Sequence, residues 1–140
     1  MRIASHGGAA LLIDYGHLRS AVGDTLQAIR AHRYEGVLDS PGEADLTAHV
    51  DFAQLAACAE RHGLHADLAT QGDFLIGMGL LERAGMLGAG ADATVRERLQ
   101  GEVERLAGAD AMGTLFKVLA IAPAGIRLPP FASSGWSGSG

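Results

Sequence analysis

The chain has 140 residues and a mass of 14.4 kDa, with 48% hydrophobic and 19% charged side chains, enough for one core-bearing domain and too little for two. Its longest apolar run, Ala9-Ala10-Leu11-Leu12-Ile13, falls far short of the roughly 20 residues of a membrane-spanning helix, so no membrane partner is expected. With 16 acidic against 11 basic side chains and a net charge of −5, no basic surface is left to neutralise phosphates, which argues against a nucleic-acid partner.

The opening residues, Met1-Arg2-Ile3-Ala4-Ser5-His6, lead straight into a strand-like segment without the apolar core of a secretory signal. The single cysteine, Cys58, can neither close an internal disulfide nor build a zinc site, and among Ala57 and Ala59 it reads as a small core residue. A reducing compartment fits these features, and the expected location is cytoplasmic.

The first element is the apolar run at residues 9–13, set between Gly7-Gly8 and Asp14-Tyr15-Gly16. A continuous run of this kind reads as a strand buried on both faces of a parallel sheet. Eight preceding residues are too few for a helical crossover, so a central strand starts almost at the first residue, a hint that the chain is a fragment. Residues 19–42 form an ordered excursion in which 24–30 could be a short strand or a turn. Residues 45–51, Asp45-Leu46-Thr47-Ala48-His49-Val50-Asp51, alternate like a strand and end in a helix start, with Asp51 as the cap and Gln54 at the capping-box position. Phe52, Leu55, Ala56 and Ala59 share one face of that helix, and Gly63 stops it.

A second strand is expected over residues 64–69, and Thr70 with Asp73 starts a further helix through Phe74, Leu75 and Met78. A Gly/Ala linker at 85–91 precedes a helix opened by Thr94 and Glu97, with Val95, Leu99, Val103 and Leu106 as its apolar stripe. The last strand is 115–122, halted by Pro123. Residues 124–140, rich in Pro, Gly and Ser, are expected to be a disordered tail. The order of strands and helices is that of an α/β domain, part of a doubly wound sheet.

Polar chemistry gathers in two places. Asp14, Tyr15 and His17 lie at the carboxyl end of the first strand, where open α/β sheets place their ligand crevice; equally, Asp14 can cap a turn and Tyr15 can simply pack. Asp45, Thr47, His49 and Asp51 precede the first good helix. In an extended stretch His49 and Asp51 point to the same side, which permits either an orienting pair in a site or one that only closes a loop. His17, His32, His49, Asp45 and Asp51 lack the tight spacing of metal ligands, so no metal is expected. Gly77-Met78-Gly79 lacks the preceding strand, third glycine and following helix of a phosphate loop.

The string Leu12-Ile13-Asp14-Tyr15-Gly16-His17, the segment Gly23-Asp24-Thr25-Leu26-Gln27-Ala28, His32, and the block Pro41-Gly42-Glu43-Ala44-Asp45-Leu46-Thr47-Ala48-His49-Val50-Asp51-Phe52 closely resemble the MidA-type S-adenosylmethionine-dependent methyltransferases. Thr70-Gln71-Gly72-Asp73-Phe74-Leu75 and Met112-Gly113-Thr114-Leu115-Phe116-Lys117-Val118-Leu119 continue the match in collinear order. That family includes a mitochondrial complex I assembly factor that methylates an arginine. The resemblance implies the carboxyl-terminal part of a Rossmann-like class I methyltransferase sheet spanning residues 1–123, with a family-specific insertion at about 19–50. It also implies a protein substrate presenting an arginine. The family's cofactor-binding glycine loop and acidic residues correspond to nothing in this chain, so no cofactor-binding residue is assigned and S-adenosylmethionine is expected only in the complete protein. Asp14, Tyr15, His17, Asp45, Thr47, His49 and Asp51 carry over as substrate-side members of the cleft, whose carboxylates would suit a guanidinium.

Two functions follow as expectations: a methyltransferase segment inactive alone, or a non-catalytic binding or assembly module that forms a homo-oligomer or pairs with a missing amino-terminal half. The same resemblance leaves room for Met1 to lie inside a longer reading frame.

Overall fold

The structure, a computed structural model, describes residues 2–20, 23 and 25–132. In chain order the elements are α1 (Arg2–His6), β1 (Ala10–His17), β2 (Gln27–Arg30), β3 (Arg33–Glu35), β4 (Asp45–Thr47), β5 (Val50–Asp51), α2 (Phe52–Arg61), β6 (Leu64–Thr70), α3 (Gln71–Gly77), α4 (Leu80–Gly88), α5 (Ala93–Ala107), α6 (Met112–Leu115) and β7 (Phe116–Pro123). Four strands make the larger sheet in the order β5-β1-β7-β6, and three make a small second sheet in the order β3-β2-β4. Its strands β2 and β3 fall inside the excursion expected over residues 19–42, and β4 falls in the strand-like stretch 45–51.

The helix starts at Asp51 and Thr70 are where the sequence places them. Asp51 accepts the Gln54 N–H at 2.9 Å to cap α2. Thr70 accepts the Asp73 N–H at 3.2 Å and donates its hydroxyl to the Asp73 carboxylate at 2.8 Å, capping α3. Each satisfies an amide that the first helical turn leaves without a partner. Past α2 the chain reverses at Gly63, whose φ of 72° suits a residue without a Cβ.

Two boundaries differ from expectation. The cap of α5 is Asp92, accepting the Val95 N–H at 2.8 Å, because a carboxylate one residue outside the first turn also meets the positive end of the helix; Thr94 lies already inside the helix. Residues 85–88, expected as linker, belong to α4. That helix packs against α5, with Gly88 facing Arg96 and Leu99, and such packing outweighs the roughly 1 kcal/mol that a helical glycine costs.

Two apolar clusters cover the two faces of the β6–β7 pair. Phe52, Ala56 and Ala59 of α2 meet Leu64, Leu119 and Ile121, with Ile3 of α1 packed against them. On the other face Phe74 of α3 and Phe131 meet Ala69, Val118 and Ala120. The expectation of a disordered tail fails for its first part: Phe131 is 1% exposed, Leu128 packs beside it, and Arg127 reaches back to Asp67. The buried ring, Leu128 beside it and the Arg127–Asp67 contact together tie this segment to the core. The remainder, 133–140, lies outside the described residues.

The strand buried on both faces is β7, whose residues from Val118 to Ala122 are all buried. The expectation for β1 is overturned: Leu11, Leu12 and Ile13 are 50%, 36% and 46% exposed. Its full-length neighbour β7 is antiparallel, and its parallel neighbour β5 pairs only with Gly16 and His17. An apolar run states that a strand is suited to burial; what buries it is set by neighbours.

Candidate functional site

At the carboxyl end of β1 the two sheets meet. β5 joins β1 in parallel, with Gly16 opposite Val50 and His17 opposite Asp51. This approach requires glycine: a Cβ at position 16 would stand 2.2 Å from the carbonyl oxygen of Val50 and 2.8 Å from the Phe52 ring. The crossing brings the residues around Tyr15 and those around His49, far apart in sequence, to one place.

There Tyr15 packs its ring on Phe116, its cross-strand partner, with centroids 4.1 Å apart at 36°. A pocket of about 280 Å³ opens beside it, lined by Tyr15 and Leu115 from the main sheet side, Gln27, Ile29 and Tyr34 from the β2–β3 hairpin, and Thr47, Ala48 and His49. The His49 N–H donates to Thr25 Oγ1 at 3.2 Å, which fixes the turn between β4 and β5. The His49 ring lies beside that of His17, with centroids 5.7 Å apart.

Of the residues singled out in the sequence, Tyr15, Thr47 and His49 therefore share one pocket and His17 stands next to it. Asp45 lies on the same face of β4 as Thr47, two residues along, but is exposed and outside the lining. Asp14 points to the opposite face from Tyr15, and its carboxylate accepts the Tyr15 N–H at 2.8 Å. The anticipated pairing of His49 with Asp51 gives way to a different arrangement, because the chain leaves strand geometry between β4 and β5. Asp51 instead accepts the Gln54 N–H. That bond, with the Ser20 side chain and the His17 ring nearby, holds its carboxyl below the ordinary value of 3.8.

Sequence reasoning missed Gln27, Ile29, Tyr34 and Leu115. Tyr34 carried a signal, an aromatic residue in a polar excursion; Gln27 and Ile29 become neighbours through the pairing of β2 with β4, and Leu115 enters from the end of α6. A second cluster was also missed. Asp67 on β6, 8% exposed, accepts from Arg127 Nε at 3.1 Å and Nη2 at 2.5 Å, and meets His65 Nε2 at 3.0 Å. It ties the segment after β7 to the sheet across 60 residues of sequence.

These residues do not by themselves fit S-adenosylmethionine. The pocket, about 280 Å³, stands at the lower end of the roughly 300–1,000 Å³ of ordinary small-molecule sites. Gly77 and Gly79 lie between two helices, α3 and α4, with no strand leading into them, so they are not a strand-to-helix phosphate or nucleotide turn. Gly16 lies within β1, and the space a Cβ would take there is filled by Val50 and Phe52. Among the described residues no group of three or more His, Cys, Asp or Glu could hold a metal ion, and no helix is long and apolar enough to cross a membrane.

Comparisons with known proteins bear on this arrangement. The "protein arginine methyltransferase NDUFAF7, mitochondrial" of Danio rerio is 37% identical over 120 residues, covering 86% of this chain and 28% of the relative. The human protein of that name is 37% identical over 123 residues, covering 87% and 28%. The chain thus spans less than a third of the length of these relatives. In Burkholderia thailandensis, a COG1565 superfamily protein crystallised with S-adenosyl-homocysteine superposes with a TM-score of 0.69 at 30% identity, covering 82% of this chain and 32% of that one. A native crystal structure of a COG1565 superfamily protein from the same organism gives 0.71, with 82% and 33% covered. The α/β fold is therefore that of part of these proteins, Rossmann-like in its sheet and helices. The cytoplasmic expectation is corrected: the animal relatives are mitochondrial by name, and composition near the first residue carries no address when so small a share of the relative is spanned. The Methyltransf_28 profile matches residues 1–70, half of the sequence, and the chain belongs to that family of S-adenosyl-L-methionine-dependent methyltransferases.

Proposed function

We propose that this chain supplies the acceptor-side wall of a protein arginine methyltransferase, and that it forms a working cleft only together with the portion of the family fold it does not span. The observation that carries this reading is the pocket at the carboxyl end of β1, where Tyr15, Thr47 and His49 converge. Its volume suits one side chain, and the rings of Tyr15 and Tyr34 offer faces to a planar cation such as a guanidinium. On this reading Asp45, exposed on the Thr47 face of β4 and outside the lining, offers its carboxylate to that cation. On this reading residues 19–50 are a family-specific insertion whose small sheet walls the pocket, and the methyl donor is held by the rest of the fold.

Calorimetric titration of the folded chain with S-adenosylmethionine tests the second half of the proposal. No saturable heat is expected; one-to-one binding would make the chain self-sufficient. In a complete protein containing this segment, Tyr15→Ala with His49→Ala should lower methyl transfer at least tenfold while leaving cofactor heat unchanged. Undiminished transfer would remove both residues from the site. A second reading, a self-associating module without activity, is favoured by the edge of β1 that has no strand neighbour at residues 10–15 among the described residues; a sharp monomer in sedimentation at high concentration counts against it.

A further inference from the structure

We infer that the protein substrate docks as an added strand on the open edge of β4, with its target side chain entering the pocket and the residues on either side of it lying on the Leu46 face. The inference deepens the acceptor-side reading above and rests on it. The small sheet has the order β3-β2-β4, so β4 pairs with β2 through Asp45, Leu46 and Thr47, and its other edge has no strand neighbour among the described residues. Hydrogen-bonding groups alternate between the two edges of an antiparallel strand, so some amides and carbonyls of residues 45–47 turn outward, and all three residues are exposed. Natural edges are blunted by lysine, proline or bulges. β4 has neither lysine nor proline, its register with β2 is unbroken, and it leads into the pocket, which Thr47, Ala48 and His49 line in succession.

Side-chain alternation says what such a strand would present. Gln27 and Ile29 line the pocket and stand opposite Thr47 and Asp45, so Asp45 and Thr47 share the pocket face and Leu46 takes the other. A residue added beside Thr47 or Asp45 therefore falls on the pocket face. Of its two neighbours in sequence, one falls beside Leu46, 60% exposed, and the other beside Ala44 or Ala48. Main-chain pairing of this kind supplies affinity, and pockets for alternate side chains supply selectivity. The segment that fits is extended, with an arginine between apolar residues.

Charge selects this edge and this occupant. Residues 35–51 carry five carboxylates, Glu35, Asp39, Glu43, Asp45 and Asp51, and neither lysine nor arginine. Four are engaged within the chain: Glu35 and Glu43 with Arg30, Asp39 with the Gly36 N–H and Asp51 with the Gln54 N–H. Asp45, on the edge strand itself, has no hydrogen-bond or ion-pair partner among the described residues and is open to a cation. The opposite edge of the sheet, β3, begins with Arg33, across from Arg30, and a cation there repels a basic segment. A second copy of this chain would bring the same acidic stretch against itself.

Edge and pocket both lie within this chain, so docking, unlike methyl transfer, does not wait for the rest of the fold. The test adds to the full chain a short peptide in which arginine stands between two valines, and follows affinity by calorimetry and residues 45–47 by amide hydrogen exchange. Saturable binding with new protection at residues 45–47 is expected. The same peptide methylated at the backbone nitrogens of its valine-arginine-valine core keeps every side chain but loses strand pairing, and should bind at least tenfold more weakly. Leu46→Lys, at a position already exposed, should leave the circular dichroism unchanged and weaken the parent peptide by a similar factor, while Leu46→Ile should not. Equal affinity for the methylated peptide, no binding at all, or a homodimer that protects the same amides without peptide overturns the inference. Protection at residues 45–47 that persists when lysine replaces the arginine sustains the edge and sinks the arginine reading of the pocket; arginine-dependent binding that leaves those amides unprotected sinks the edge and sustains that reading.

Discussion

β7 and β1 lie side by side, paired antiparallel over six residues, and both are written in apolar side chains. Yet Val118 and Leu119 of β7 are 0% exposed, whereas Leu11 and Ile13 of β1 are about half exposed. The difference is one of surroundings. β7 has β1 and β6 on its two edges, α2 over one face, and α3 with Phe131 over the other. Among the described residues, β1 has a neighbour along its length on one edge only. Two strands with the same kind of sequence thus occupy opposite ends of the burial range, and what covers their faces and edges makes the difference.

Substitutions at matched positions should break that comparison open. The largest effect is expected at Leu119→Ala, a fully buried leucine whose removal leaves a cavity between α2 and the sheet and should cost about 2–5 kcal/mol in urea denaturation. Next comes Gly16→Ala, where the new methyl group collides with the Val50 carbonyl; strain of about 1–3 kcal/mol is expected, with faster exchange of the β5 amides as the local readout. Arg127→Ala leaves the Asp67 carboxylate, 8% exposed, without its main partner, and a loss of about 1–2 kcal/mol should appear together with release of the Phe131 segment. Leu11→Ala should change stability by no more than about 0.5 kcal/mol in the chain alone. The same substitution in a complete family fold should approach the cost of Leu119→Ala, which sharpens the contrast between the strands into a measurement of what covers β1.

Asp51 adds a pH dependence at the junction of β5 and α2. Its folded pKa lies below 3.8, chiefly through the Gln54 N–H, so the stabilisation is complete above the unfolded value and is lost as pH falls through the folded one. Asp51→Asn should therefore flatten the acid limb of stability below about pH 4 and lower stability in the neutral range, where the charged carboxylate contributes in full. An acid limb as steep as in the parent chain would assign it to other carboxylates.

Local signals were the legible ones. The caps at Asp51 and Thr70, the stop at Gly63 and the strands near 64–69 and 115–122 depend on contacts within a few residues, where side-chain chemistry and backbone geometry are coupled directly. Asp92 in place of Thr94 and the helix through Gly85 show that coupling failing by a turn, where competing acceptors or tertiary packing decide. The pocket was half legible: Tyr15, Thr47 and His49 stand in two recognisable strings, while Gln27 enters it through the pairing of β2 with β4 and Leu115 from the end of α6. Arg127 lay beyond reach, since nothing near position 127 speaks of a carboxylate 60 residues earlier.

The sequence by itself determined the family, the α/β character and the strings that carry the polar residues, because each is encoded in residue type and short spacing. Tertiary structure alone decided which of two apolar strands is buried, which carboxylates turn away from the pocket and which segment after β7 is held. Those outcomes rest on neighbours distant in sequence, and burial, unlike propensity, is a property of what surrounds a residue.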